Sequence, residues 1–167
     1  MSTTDRFTIV ASPIGPLLLT AGPGGLTGLY VAGERLAPEP DASWREDRAS
    51  CAEVIEQLEA YFAGEQAAFD LTVDPKGTPF QLEVWAGLRA IPYGETISYA
   101  ELARRVGRPA ASRAVGAANG RNPISIVLPC HRVIGANGSL TGYGWGLDRK
   151  RYLLDLESRG NRPLSET

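Results

Sequence analysis

Ser98–Ala118 reads SYAELARRVGRPAASRAVGAA. Ser98 suits a helix N-cap and Glu101 follows three residues on, the spacing of a capping box. Behind them Tyr99, Leu102, Ala103 and Val106 fall at i, i+3, i+4 and i+7, which makes one apolar helical face. Gly107 stops that helix, Arg108-Pro109 turns the chain, and Ala111 to Ala118 reads as a second short helix. Two short helices across a tight turn suggest a helix-turn-helix, although such pairs are also common packing units. The second helix is nearly bare: Ala111, Ser112, Ala114, Gly116, Ala117 and Ala118 offer little beyond methyls, and Arg113 stands out of them. Major-groove readers present several long polar side chains. A smooth helix fits a narrow minor groove with one arginine as a probe, or it packs closely against a neighbour. The segment by itself leaves both readings open.

Upstream, Thr78-Pro79-Phe80-Gln81 combines an N-cap, a proline at N1 and a glutamine at N3, so a helix is expected to about Ala90 with Val84, Trp85 and Leu88 inward. Ile91-Pro92-Tyr93-Gly94 ends it. The first third of the chain has a different period. Phe7–Val10, Leu17–Leu19 and Leu26–Val31 are short apolar runs separated by Pro/Gly turns, a small antiparallel meander. Residues 33–48 read as a loop. From Ser50, the residues Cys51, Val54, Ile55, Leu58, Tyr61 and Phe62 return to helical spacing, and Gly64 suits the stop. The expected architecture is α+β: a sheet domain over 1–76 and a helical domain over 77–167.

The net charge of −2 conceals an asymmetry. Residues 1–75 set four arginines against twelve carboxylates, a net of −8, while residues 76–167 set thirteen lysines and arginines against seven carboxylates, a net of +6. A basic half fits a polyanionic partner, and mutual neutralisation of the halves explains the same count. No apolar run approaches the ~20 residues of a membrane span, and the start of the chain lacks a secretory h-region. Two cysteines, Cys51 and Cys130, exclude a disulfide scaffold and fit a cytoplasmic protein. Cys51 lies on the apolar helical stripe and reads as a packed, inert thiol.

Ile124–Leu128 reads as a short buried strand that delivers Pro129-Cys130-His131-Arg132. The only histidine therefore adjoins one of only two cysteines. A thiolate is the nucleophilic form of cysteine, and an imidazole that accepts its proton generates it near neutral pH. The last helix, about 148–159, places Lys150, Leu153, Leu154 and Glu157 along one face. An inward carboxylate requires a partner. His131 would make Glu157 the orienting acid of a nucleophile–base–acid set; Lys150 would make it a simple ion pair.

Pro129-Cys130-His131-Arg132-Val133, with Asn122-Pro123 before it and Gly142-Tyr143 after it, resembles the active-site signature of the O6-alkylguanine-DNA alkyltransferases. Arg113-Ala114-Val115-Gly116, the stretch from Pro92-Tyr93-Gly94 to Tyr99, and Lys150-Arg151-Tyr152-Leu153-Leu154 are similar too, so the likeness is dense over 78–157. The resemblance implies a ribonuclease H-like N-terminal domain and suicide alkyl transfer from O6-alkylguanine, with O4-alkylthymine as a further substrate, to Cys130. His131 would act through a water with Glu157. Tyr99 would assist flipping and donate to the departing purine, and Asn122 would brace the turn before Cys130. Arg113 would fill the vacated stack, while Ala111, Ser112, Ala114 and Gly116 would line the minor groove of double-stranded DNA, with Arg132 in the DNA-binding set. Val133, Tyr143, Gly144, Trp145 and Lys150 would form the substrate pocket.

No cofactor is implied, and the N-terminal zinc ligands of some relatives are missing from this sequence, so no metal is expected. The expected state is a monomer in solution, with cooperative assembly on DNA left open. Relatives commonly carry a small residue at the Trp145 position, so its indole is expected to tune which alkyl groups enter. Two alternatives remain: a non-enzymatic lesion binder or regulator on the same scaffold, and a cysteine hydrolase. The reactive cysteine argues against the first, and the arginine-bearing small-residue helix is unexplained by the second.

Overall fold

The computed structural model describes residues 4–140 and 143–160, and Gly142 of the quoted motif lies outside them. The chain forms two compact units: residues 1–76 together with 123–125, and residues 77–122 together with 126–167.

In the first unit, β1 (Arg6–Val10), β2 (Leu17–Gly22) and β3 (Gly25–Val31) form the expected antiparallel meander. Their register sets Val10 opposite Leu17, Leu17 opposite Val31 and Leu19 opposite Leu29, which gathers a buried apolar face. Helix α1 (Ala52–Phe62), entered through a 3-10 turn at Ala49–Cys51, buries Ile55, Leu58 and Tyr61. Cys51 is buried, and burial pushes its thiol pKa up, as suits an inert packing residue. Gly25 is required at the β2–β3 turn: its φ is +126°, and a β-carbon there would lie 2.5 Å from the Thr72 carbonyl oxygen.

The 33–48 segment is not wholly loop. Arg45–Glu46 form β4, parallel to β1, so the sheet order is β3-β2-β1-β4. On the other edge, Leu26 bridges Val73 and Leu29 bridges Ile124. The Leu29 N–H donates to Pro123 O at 2.8 Å, and the Ser125 N–H donates to Leu29 O at 3.3 Å.

The second unit contains α2 (Pro79–Arg89), β5 (Ile97–Ser98), α3 (Tyr99–Arg105), α4 (Ser112–Gly120), β6 (Val133–Ile134) and α5 (Leu147–Gly160). The Thr78–Gln81 capping box opens α2 in both directions, and Val84, Trp85 and Leu88 are buried. The box predicted at Ser98 is only half made. Ser98 accepts from the Glu101 N–H at 3.0 Å, but the Glu101 carboxylate is spent on Arg104 and Arg105. Gly107, at φ +77°, ends α3 and lets α4 pack beside it. Trp85 joins α2 to α4 by donating its indole N–H to Ala118 O at 2.9 Å.

Residues 124–128 are buried as expected but do not make a strand. Only Ile124 bridges a neighbour; the chain then turns, and Ile126 sits at φ +73°. That conformation is unfavourable for a β-branched residue and ends extended pairing after one bridge.

Candidate active site around Cys130

After the Ile126 turn, Cys130–Arg132 form one 3-10 turn followed directly by β6. Asn122, just beyond the end of α4, fixes the approach to that turn: its side-chain amide donates to Leu128 O at 2.6 Å. The Cys130 N–H donates to the same carbonyl at 2.8 Å. Cys130, His131 and Arg132 are all buried, so the reactive dipeptide is enclosed by its own fold.

His131 Nε2 lies 2.6 Å from Glu157 Oε2, and neither side chain is accessible. Arg132 grips the same carboxylate with both ends: Nε donates to Oε1 at 2.7 Å and Nη2 to Oε2 at 3.0 Å. Its Nη1 donates to Ile91 O at 2.6 Å, and its guanidinium carbon stands 5.8 Å from the centre of the Tyr93 ring. Burial alone would raise the Glu157 pKa, but the hydrogen bonds and charges of His131 and Arg132 bring it down to about 2. Burial acts on His131 in the opposite sense to its carboxylate contact, and it holds the imidazole below its ordinary pKa and neutral.

These ionisation states fix the tautomer. An ionised carboxylate only accepts, so the imidazole proton sits on Nε2 and Nδ1 carries a bare lone pair. Nδ1 is buried and meets no hydrogen-bonding group among the described residues.

Lys150 does not pair with Glu157. Its Nζ donates to Val133 O at 2.6 Å and lies 5.8 Å from the centre of the Tyr143 ring. Burial lowers its pKa, and a charge on Cys130 works the other way, so a Cys130 thiolate and the Lys150 ammonium stabilise each other. Tyr143 meets buried Trp145 edge-on, with ring centres 6.0 Å apart. A β-carbon on Gly144 would stand 3.9 Å from Gly120 O, so the segment at Gly144 passes the end of α4.

On α4, Arg113, Ala114 and Ala117 are exposed, while Val115, Ala118 and Asn119 turn inward. Ala111, Ser112 and Gly116 are half-buried, and a β-carbon on Gly116 would come 3.5 Å from the half-buried Tyr99 ring. Arg132 stands apart from this outward set. The sequence reading placed it with the DNA-binding residues, but its guanidinium is buried and committed to Glu157 and Ile91. Two contributors escaped the sequence reading: the Ile91 carbonyl, in the segment read as a helix stop, and the Tyr93 ring, which lies in the recognised likeness but was given no role. No pattern in a sequence marks a carbonyl acceptor such as Ile91.

The fold and site define a two-unit α+β protein with buried Cys130, His131 and Glu157 and an exposed arginine on α4. Residues 6–75 match the model of the 6-O-methylguanine DNA methyltransferase ribonuclease-like domain, and residues 79–159 match that of the family's DNA binding domain. The methylated-DNA–protein-cysteine methyltransferase of Methanosarcina acetivorans is 54% identical over 152 residues, 90% of this chain and 97% of that one. Its namesake in Mycolicibacterium paratuberculosis is 53% identical over 162 residues, 97% of each. The crystal structure of Mycobacterium tuberculosis O6-methylguanine methyltransferase superposes with a TM-score of 0.85 at 49% identity, covering 95% of both chains. A structure of the M. tuberculosis protein in complex with DNA gives 0.85 at 51% identity, over 93% of this chain and 94% of that one. The chain belongs to the 6-O-methylguanine DNA methyltransferase family.

Proposed function

We propose that this protein repairs alkylated DNA by moving the alkyl group of O6-alkylguanine, and of O4-alkylthymine, irreversibly onto its own Cys130. The observation that carries this reading is the buried chain Arg132–Glu157–His131, which leaves Nδ1 as the basic nitrogen next in sequence to the cysteine. Nδ1 takes the thiol proton through a water, and the nearby Lys150 ammonium favours the anion that forms. Sγ attacks the alkyl carbon in line: the S–C bond forms as the C–O6 bond breaks, and the electron pair leaves with the purine. The Tyr99 hydroxyl donates to the departing base and so lowers the barrier to its release. The thioether is stable, so each molecule reacts once and no cofactor enters.

The alkylated oxygen lies inside the duplex, so the nucleotide is flipped out at a cost of a few kcal/mol. Arg113 enters the stack in its place, and Ala111, Ser112, Ala114 and Gly116 let α4 approach the minor-groove floor. The Cys130 and Val133 carbonyls accept from the exocyclic amine, and the Gly144 N–H meets O6. The protein is a monomer in solution and works in the cytoplasm. Titration with a duplex carrying O6-methylguanine tests the reading: repair should stop at one lesion per protein molecule. Continued turnover would indicate a hydrolase, and lesion binding without repair a passive recogniser.

A further inference from the structure

Arg132 follows the reactive dipeptide directly, yet it makes no use of the outer surface. Its three hydrogen bonds run to the two oxygens of Glu157 and to Ile91 O. We propose that Arg132 is a positioning residue of the alkyl-transfer centre: its two-pronged grip keeps the buried Glu157 charged, so the shared proton stays on His131 Nε2 and Nδ1 stays free to act as base. The inference rests on the alkyl-transfer reading and deepens it.

The physical problem is an ambiguity in any buried histidine–glutamate pair. The pair can stay singly protonated, a neutral Nε2–H imidazole against a carboxylate, or take up a second proton from solvent and become a neutral imidazole against a carboxylic acid. Desolvation favours this second form, which carries no net charge. In the second form Nε2 is the acceptor, the neutral imidazole carries its remaining proton on Nδ1, and the base toward the thiol is lost. The charged groups around the pair are few. Arg132 is in direct contact with it, Lys150 lies on α5 beside Cys130, and Tyr93 interacts electrostatically with Glu157, Arg132 and Arg159. Lys150 and Arg132 both disfavour a charged imidazole, but Lys150 is hydrogen-bonded to Val133 O. Arg132 alone among these groups is hydrogen-bonded to both oxygens of the carboxylate, among the described residues. A guanidinium suits this task because its rigid fork matches two oxygens and it does not deprotonate.

The test uses Arg132→Met, Glu157→Gln, and the double variant, which removes both buried charges and so spares the fold an unpaired ion. The rate of alkyl transfer at neutral pH should fall about 100-fold in Arg132→Met, the scale of a lost general base. Because Arg132 acts through Glu157, the double variant should be no slower than Glu157→Gln alone. Arg132→Lys should recover part of the rate. His131 is the chain's only histidine, so its ring nitrogens can be read by NMR without assignment. The wild type should give a protonated Nε2 and a bare Nδ1, and Arg132→Met should lose that pattern and shift the pH–rate profile. Slower transfer with an unchanged His131 spectrum and pH profile would overturn the proposal, as would additive losses in the double variant. A weaker dependence of DNA affinity on salt in Arg132→Met would mark a phosphate contact instead. A wild type that transfers no alkyl group would overturn the functional reading itself, whatever its histidine spectrum shows.

Discussion

His131 has no other histidine to share its pH range, so acid titration of the folded chain isolates one residue. Burial lowers its pKa from the ordinary 6.5, and the neutral form persists in the folded state. As pH falls through about 6.5 the unfolded chain binds a proton that the native one does not, and stability declines. Glu157 adds to the decline at lower pH: its folded pKa of about 2 lies below the ordinary 4.5, so its contribution is complete above 4.5 and is lost toward 2. Urea unfolding between about pH 7.5 and 5.5 should therefore show stability falling toward acid, with the slope reduced in His131→Gln. A flat profile in the wild type would mean that the imidazole is not held neutral.

Trp145 offers a second residue-scale test. Its indole is buried against Tyr143 and occupies space beside the proposed pocket. Trp145→Gly should raise the rate with O6-benzylguanine relative to O6-methylguanine by about tenfold, the scale of a small change in pocket fit. An unchanged ratio would exclude a role in substrate selection.

At the scale of elements, α4 makes the most specific prediction. Its exposed face carries Arg113, Ala114 and Ala117. If that face enters the minor groove and Arg113 holds the gap, Arg113→Ala should slow transfer from duplex DNA by about 100-fold, equivalent to the few kcal/mol of flipping. Reaction with free O6-benzylguanine should keep its rate, because nothing has to be flipped. Equal losses on both substrates would assign Arg113 to the fold. The elements themselves were largely legible in the sequence. Helical spacing or a capping box announced α1, α2, α3 and α5, and turn residues separated β1 to β3. The 124–128 segment misled because its apolar run is the same for a strand and a buried turn. Its single bridge and the positive φ of Ile126 depend on contacts distant in sequence. β4 was illegible for a related reason: two exposed residues carry no alternation, and pairing with β1 alone makes them a strand.

For the whole molecule, the candidate site was legible because its main residues cluster in one short motif and Glu157 falls on the inward face of α5. The sequence did not reveal what Arg132 does. A basic residue in the basic half reads as a DNA contact until the fold buries its guanidinium against Glu157. The alkyl-transfer reading depends on one covalent event, which intact mass measures directly. The wild-type protein and Cys130→Ala should each be incubated with a duplex carrying a single O6-methylguanine. The account predicts one added methyl group per wild-type molecule, located on Cys130 by peptide mapping, and none on the variant. A wild type that binds the lesion without gaining mass, or a Cys130→Ala protein that still gains it, would contradict the account.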